Sequence, residues 1–209
     1  MSKVLYVQSS PRADRAYSTR VGQAFIDTYC TLHPEDEIEI LDLWKTSLPP
    51  FDGDALWAKY ARMRREETTP EQETKWLQIV EIIDHFRSFD KFVFTIPMWN
   101  FNVPYVLKHY FDILVQPGVS FGKNEKGEIR GFIRGKKAVC FCAAGSPYDG
   151  DAPLAPGDFL RPYLRWILGW VGIDDVQIEL VAPTTLGDEA ASAALTEAQS
   201  SAQAIARSF

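Results

Sequence analysis

Hydroxyl and basic side chains cluster between the first apolar run of the chain and the helical pattern that follows it. They are Ser9, Ser10, Arg12, Ser18, Thr19 and Arg20. The start of a helix attracts anions, because its first N–H groups have no partner within the helix and its dipole is positive there. The segment lacks the G-x-x-x-x-G-K-[ST] and G-x-G-x-x-G patterns of triphosphate and dinucleotide sites. It therefore favours a phosphate monoester, the alternative being a helix start with spare serines.

A second segment, Pro97–Asn102, is apolar where a loop is expected to be polar. Met98, Trp99 and Phe101 lie in it, although connecting segments normally face water. A flat, largely apolar ring such as isoalloxazine would cover these side chains, with Asn100 and backbone amides meeting its polar edge. The alternative is that Trp99 and Phe101 cover the core or a second copy of the chain.

A third segment consists of small residues, which let the backbone approach a planar ligand closely. It is Ala143, Ala144, Gly145 and Ser146. Glycine is common in turns, so this segment by itself says little. The three segments together predict one ligand with a phosphate and a flat ring, namely FMN.

Each of these segments follows a predicted β-strand. Apolar, β-rich runs occur at Val4–Val7, 38–43, Lys91–Pro97, Lys137–Ala143 and Val176–Val181, with helical patterns between them. Such alternation predicts βαβ units around a parallel sheet. The expected fold class is α/β: a flavodoxin-like three-layer sandwich with a five-stranded parallel sheet of order 2-1-3-4-5. In that fold, ligands bind beyond the carboxyl ends of the strands, beside strands 1 and 3, as is known for flavodoxin itself.

The chain is expected to form a single FMN-binding domain over residues 1–209. Within it, residues 45–69 are predicted to be an irregular insertion, and such long loops are usually functional or interfacial. Thr69, Pro70 and Gln72 have the spacing of a helix start with a capping box. A small β excursion is expected at 119–134.

Composition narrows the function further. The net charge of −6 argues against nucleic-acid binding, which requires a basic face. No apolar stretch is long enough to span a bilayer, and the first apolar run is too short for a signal peptide. The three cysteines form an odd set without a disulfide or metal spacing, which favours a reducing compartment, expected to be the cytoplasm. Cys140 and Cys142, two apart on a strand, are expected in the core.

The sequence resembles the FMN-dependent NADH-azoreductases, a family close to the NAD(P)H:quinone reductases. The similar stretches follow one another along most of the chain: Met1–Leu5, Ser9-Ser10, Tyr17-Ser18, Pro97–Asn102, Leu107-Lys108, Tyr110–Asp112, Gly118–Phe121, Gly135–Ala138, Pro162–Leu164 and Leu168–Ile173. The resemblance implies a homodimer with two FMN sites near the subunit interface. It also implies two half-reactions: NADH or NADPH reduces the flavin and leaves, and a quinone or azo compound then takes the electrons.

By position, the resemblance implies that Ser10, Ser18 and Thr19 hold the phosphate, that Met98–Phe101 line the flavin, and that Ala143–Ser146 border the ring. Two positions depart from the family pattern. Arg20 stands where a second serine is common and would add a positive partner for phosphate. Ala143–Ser146 replaces a common Ser-Arg-Gly-Gly, and losing that arginine would alter the redox potential or the acceptor preference.

No side chain is expected to act as a nucleophile, since a flavin performs the electron transfer itself. Trp99 and Phe121 are predicted walls of the acceptor pocket, with Trp57 and Tyr60 as further candidates. The alternative function is a flavodoxin-like FMN electron carrier or binding module that does not turn over small substrates. Both would be yellow, and only the enzyme would consume NADH rapidly in the presence of a quinone.

Overall fold

The computed structural model describes residues 1–209 and centres on one parallel sheet. Its strands are β1 (Lys3–Gln8), β2 (Glu37–Asp42), β3 (Lys91–Pro97), β6 (Lys137–Ala143) and β7 (Asp175–Val181), and a separate antiparallel hairpin is formed by β4 (Phe121–Lys123) and β5 (Ile129–Gly131). The sheet order is β2-β1-β3-β6-β7, with every neighbouring pair parallel. Counted along the main sheet, this is the predicted order 2-1-3-4-5, so the predicted fold class is confirmed.

Six α-helices cover the two faces of the sheet. They are α1 (Tyr17–Leu32), α2 (Gly53–Arg64), α3 (Pro70–Arg87), α4 (Tyr105–Leu114), α5 (Leu160–Val171) and α6 (Asp188–Ala206). The buried side chains of α1 and α6 share one apolar cluster, and those of α2 to α5 share the other. No helix combines the length and the apolar character that a bilayer crossing requires.

The central strands are buried on both faces, as their almost continuous apolar sequences predict. In β3, Phe92 and Phe94 pack on the α2–α5 side, and Val93 packs on the α1/α6 side. Cys140 and Cys142 of β6 lie in the core on the α2–α5 side, as expected. Burial raises the pKa of both thiols, so they are protonated at neutral pH.

Helix α3 begins as its sequence predicts. The Thr69 hydroxyl accepts a hydrogen bond from the Gln72 N–H at 3.3 Å, and the Gln72 side chain accepts one from the Thr69 N–H at 3.1 Å. Pro70 occupies the first helical position, where its missing N–H costs nothing. The predicted capping box is confirmed.

The prediction of an irregular insertion was wrong for its central part, which is helix α2. Asp52 caps this helix, since its carboxylate accepts a hydrogen bond from the Ala55 N–H at 3.2 Å. The buried face of α2 is made of Ala55, Ala58 and Ala61. Small residues at this spacing give a weak apolar signal beside the charged and aromatic residues of the outer face, and the helical period was therefore missed.

Candidate functional site

The loop after β1 is fixed to the neighbouring strand through Ser9. Its N–H and its hydroxyl both donate to the Thr95 carbonyl of β3, at 3.1 and 2.9 Å. Ser9 is fully buried, so its hydrogen-bonding capacity serves the scaffold. The adjacent Ser10 is also buried, and its hydroxyl accepts a long hydrogen bond of 3.4 Å from the Arg12 N–H.

The start of α1 holds two buried hydroxyls without a partner. The capping position is Ala16, which has no side-chain acceptor to offer the first N–H groups of the helix. Ser18 and Thr19 are buried, and neither hydroxyl forms a hydrogen bond. A buried polar group left unpaired costs about 1–3 kcal/mol. An anion at this helix end would pair with both hydroxyls and with the free N–H groups, so these residues fit the phosphate of FMN.

Tyr6 of β1 lies beneath this helix start. Its hydroxyl donates to the Thr19 carbonyl at 3.5 Å, and burial raises its pKa, so the phenol is neutral at physiological pH. The two basic residues of the predicted phosphate segment, Arg12 and Arg20, are exposed and are paired with no carboxylate. The Arg20 guanidinium lies 6.0 Å from the centre of the Tyr17 ring. The structure does not bring either guanidinium into the buried hydroxyl cluster.

The loop after β3 is a tight turn with an unusual backbone. The Trp99 N–H donates to the Asn102 carbonyl at 2.8 Å, and the Asn102 N–H donates back to Trp99 at 3.0 Å. The two residues between them, Asn100 and Phe101, have φ of +47° and +71°. Asparagine adopts positive φ readily, whereas for phenylalanine it is strained. Strain of this kind is retained mainly at functional sites.

The side chains of this turn are only partly covered. Trp99 and Phe101 are 37% and 45% exposed. Phe101 lies beside Gly157 of the segment after β6, where an added Cβ would stand 3.2 Å from its ring. Pro97 and Met98 are half-buried, and the Met98 N–H donates to the Ala143 carbonyl at 2.7 Å. This bond joins the second predicted loop to the third.

The third loop, Ala143–Ser146, is held from behind by the segment after β7. The Thr184 hydroxyl donates to the Ala144 carbonyl and the Thr185 hydroxyl donates to the Gly145 carbonyl, both at 2.9 Å. A Cβ at Gly145 would come within 2.9 Å of the Thr185 hydroxyl oxygen. The loop therefore offers bare backbone at the carboxyl end of the sheet, which suits the edge of a planar ring.

Phe121, the second predicted pocket wall, lies at the opposite end of the molecule. Its ring is 5.3 Å from that of Trp170, in the last turn of α5. That turn leads into β7 and so lies at the amino ends of the strands. The hairpin is fixed there: a Cβ at Gly131 would come within 2.1 Å of the Val171 carbonyl carbon. Within one chain, Phe121 is therefore not part of the site. Helix α4 leads from the carboxyl end of β3 back to the amino ends of the strands, and the prediction did not take this into account.

Two aromatic residues at the site were not predicted, Trp44 and Tyr105. The Trp44 ring lies 5.9 Å from the Trp99 ring and 5.4 Å from the Tyr105 ring. Trp44 follows β2, so the rule about carboxyl ends of strands, applied to β2 as well, would have found it. Tyr105 opens α4, where its neighbours Pro104 and Val106 suggest only a helix start.

The comparisons with known proteins agree with this fold. A family model described as the flavodoxin-like fold matches residues 2–206. An FMN-dependent NADH:quinone oxidoreductase of Nitratidesulfovibrio vulgaris is 35% identical over 210 residues, covering 100% of both chains. Another FMN-dependent NADH:quinone oxidoreductase, from Burkholderia lata, is 40% identical over 190 residues, covering 90% of both.

Solved structures give the same result. An azoreductase from Bacillus anthracis superposes with a TM-score of 0.89 at 28% identity, covering 100% of both chains. An FMN-dependent NADH-azoreductase of that organism, solved in complex with FMN, has a TM-score of 0.84 at 27% identity and covers 99% of this chain and 100% of its own. The chain therefore belongs to the flavodoxin-like fold family and, within it, to the family of FMN-dependent NADH:quinone oxidoreductases.

Proposed function

We propose that this protein is an FMN-dependent oxidoreductase that passes electrons from NADH to quinones and azo compounds. The observation that carries the proposal is the pair of buried, unpaired hydroxyls on Ser18 and Thr19 at the start of α1. The loop that leads into this helix is tied by Ser9 to Thr95 of β3, two residues before the strand ends and the aromatic turn follows. Relatives named as FMN-dependent NADH:quinone oxidoreductases support the same activity.

The chain's own residues bind and orient. Ser10, Ser18, Thr19 and the first N–H groups of α1 hold the phosphate, which the helix dipole also favours. Pro97–Phe101 and Ala143–Ser146 border the ring, and the exposed faces of Trp99 and Phe101 leave room for a second flat molecule. FMN supplies the transfer of an electron pair between donor and acceptor. No acid, base or nucleophile of the chain is required to form a bond.

The proposal is tested on the purified protein by its visible absorption spectrum and by NADH consumption. We expect a yellow protein that oxidises NADH rapidly when menadione is present and slowly without it. A yellow protein that ignores menadione and azo dyes would be an electron carrier. A colourless protein that stays colourless with added FMN would contradict the whole assignment. Parallel assays with NADPH test the preference for NADH that the names of the relatives support.

A homodimer is the second part of the proposal, supported by the distribution of exposed aromatic side chains. They are Trp57, Tyr60, Trp99, Phe101, Tyr105, Phe132, Phe159 and Trp166. Four of these eight belong to α2, α4 and α5, which cover the same face of the sheet, the other four lie in loops, and none lies on α1 or α6. Apolar surface concentrated on one side of a chain is typical of an interaction site. A second copy of the chain would cover this apolar surface. Phe121 would line a pocket only if its side chain reached the flavin site of that second copy.

Sedimentation velocity tests the dimer. We expect a species of twice the chain mass at micromolar concentration, and a monomer there would contradict the proposal. We further propose that residues 1–209 act as one FMN-binding domain and that the protein is cytoplasmic. The three free cysteines support that location, since they suit a reducing compartment.

A further inference from the structure

Trp44 is held rigidly at the carboxyl end of β2 by its neighbour Asp42. The Asp42 carboxylate accepts a hydrogen bond from the Trp44 N–H at 3.0 Å, and the Asp42 carbonyl accepts one from the Thr46 hydroxyl at 2.8 Å. Lys45 pairs with the same carboxylate at 2.8 Å. These bonds fix the backbone of the turn, and the indole extends from it across the ends of β1 and β3 to Ser9 and Trp99.

The indole contacts both predicted parts of the flavin site. Its N–H donates to the Ser9 carbonyl at 3.0 Å, although the two residues are 35 positions apart in the chain. Its ring is 5.9 Å from that of Trp99 and, edge to face, 5.4 Å from that of Tyr105, so that the three rings form one cluster. Ser9 directly precedes the predicted phosphate ligand Ser10, and Trp99 opens the strained turn. The Trp44 side chain thus contacts the backbone of the phosphate end, at Ser9, and the aromatic wall of the ring end, at Trp99.

We infer that Trp44 is a positioning residue that holds the phosphate end and the ring end of the site in register. The inference rests on the proposed function and assigns Trp44 no contact with FMN. The Ser9 N–H and hydroxyl already bind the Thr95 carbonyl, so the indole N–H is what fixes the next peptide group, which joins the Ser9 carbonyl to the Ser10 nitrogen. Without the N–H, the carbonyl would turn toward water and the peptide that aims Ser10 would lose an anchor.

The ring contact has a separate consequence. Trp99 is exposed, and the aromatic rings beside it are those of the half-buried Trp44, at 5.9 Å, and of Tyr105, at 6.3 Å. Offset and edge-to-face aromatic pairs are stabilising beyond the area they bury. Losing the ring of Trp44 would therefore loosen the wall against which a flat molecule stacks, whether or not that molecule carries a phosphate.

The experiment compares FMN with riboflavin, which has the same ring and no phosphate. In Trp44→Phe the ring remains and the N–H donor is lost. We expect FMN affinity of the apoprotein to fall about fivefold, the size of one ordinary hydrogen bond, with riboflavin affinity little changed. Tyr105→Leu removes the exposed aromatic partner of Trp44. It should lower the affinities for FMN and for riboflavin by one and the same factor. Flavin fluorescence quenching measures both affinities for the wild type and for each variant.

The matched control is Tyr29→Phe, which also removes one aromatic donor; the Tyr29 hydroxyl donates to Asp36 at 2.6 Å, at the amino end of the sheet. It should leave the FMN-to-riboflavin ratio unchanged. The thermal midpoint of each apoprotein shows whether the variant is folded. If Trp44→Phe misfolds, Trp44→Tyr takes its place, with the same expected result. An unchanged FMN-to-riboflavin ratio in the folded Trp44 variants would overturn the inference. Failure of the wild type to bind either flavin would instead contradict the proposed function.

Discussion

The two ends of the candidate site are built in opposite ways. At the phosphate end, Ser10, Ser18 and Thr19 are at most 6% exposed, and the loop between Ser10 and the helix has a single residue with positive φ, Ala13 at +48°. At the ring end, Trp99 and Phe101 are more than a third exposed, and the turn that bears them has two consecutive residues with positive φ. One end is polar and enclosed, and the other is aromatic and open, with two residues of positive φ in succession.

The difference reflects two tasks. A phosphate is always a compact anion of the same shape, so a rigid set of donors can be arranged for it in advance, at the cost of unpaired hydroxyls when it is absent. The ring end has to receive a flavin and, beside it, molecules that come and go. Broad aromatic surfaces serve this purpose because stacking tolerates different partners. We therefore expect substitutions at the two ends to separate binding from turnover.

The largest effect is expected for Ser18→Ala. A lost hydrogen bond to a charged phosphate is worth about 1.5–3 kcal/mol, so FMN affinity should fall by about 10- to 150-fold. In the apoprotein the same change removes a buried hydroxyl that has no partner, so the free energy of unfolding should stay the same or increase. Flavin titration and chemical denaturation of the apoprotein measure the two quantities.

A suitable control for Ser18→Ala is Thr28→Ala on the same helix, where the hydroxyl donates to the Ala24 carbonyl at 2.9 Å. It should leave FMN affinity unchanged. If Ser18→Ala bound FMN as the wild type does, the phosphate assignment would be wrong.

A smaller effect on binding and a clear effect on turnover are expected for Trp99→Ala. Loss of an aromatic stack is worth about 0.5–1.5 kcal/mol, so both FMN and riboflavin should bind about 2- to 12-fold more weakly. Because the same surface would border the acceptor, kcat/KM for menadione should fall further than the FMN affinity does. If kcat/KM for menadione, measured at saturating FMN, were unchanged while FMN affinity fell, Trp99 would serve the flavin alone.

Phe101→Gly tests the strain at the ring end. Glycine removes a positive-φ penalty of about 1–3 kcal/mol, and it loses the half-buried contact of the phenyl ring, about 1 kcal/mol. The apoprotein should therefore be as stable as the wild type or more so, whereas quinone turnover should decrease. A variant with lower stability and normal turnover would show that Phe101 serves packing. Asn100→Gly is the matched control, because asparagine adopts its φ of +47° with little strain.

The sheet and the polar half of the site could be predicted because their signals are local. Buried strands such as Lys91–Pro97 are recognisable as apolar runs, and Thr69 with Gln72 marks a helix start by spacing alone. Ser18 and Thr19 could be assigned to an anion site because they stand at the start of a helix that follows a strand. Each of these inferences needs only neighbours in the sequence and one rule of topology.

The missed features depend on contacts between distant parts of the chain. Trp44 lies at the site because β2 is adjacent to β1. Phe121 lies far from the site because α4, which precedes it, runs along the full length of the sheet. The positive φ at Phe101 has no signal in the sequence, since phenylalanine does not favour that conformation. Helix α2 was missed because its buried face consists of alanines, which give little hydrophobic contrast.

A last substitution, Asp36→Asn, lies at the amino end of the sheet, far from the candidate site. It tests whether a loss of stability there affects flavin binding at the phosphate end or at the ring end. The Tyr29 hydroxyl, at 2.6 Å, and the Ser2 N–H, at 2.5 Å, donate to the Asp36 carboxylate. These bonds, the Tyr29 bond foremost, lower the pKa of Asp36 below its ordinary value of 3.8. A carboxylate with a lowered pKa stabilises the fold above its ordinary pKa, and this stabilisation disappears as the pH falls through the lowered value.

Asp36→Asn should accordingly unfold at a lower temperature than the wild type at pH 7, and this gap should close progressively below about pH 4. FMN and riboflavin affinities at pH 7 should both match the wild type, because the change lies at the opposite edge of the sheet from both ends of the site. Thermal denaturation across pH and one flavin titration suffice. A change in the FMN-to-riboflavin ratio would mean that general loss of stability is transmitted to the phosphate end. The effects expected for Ser18→Ala would then no longer report on the phosphate alone.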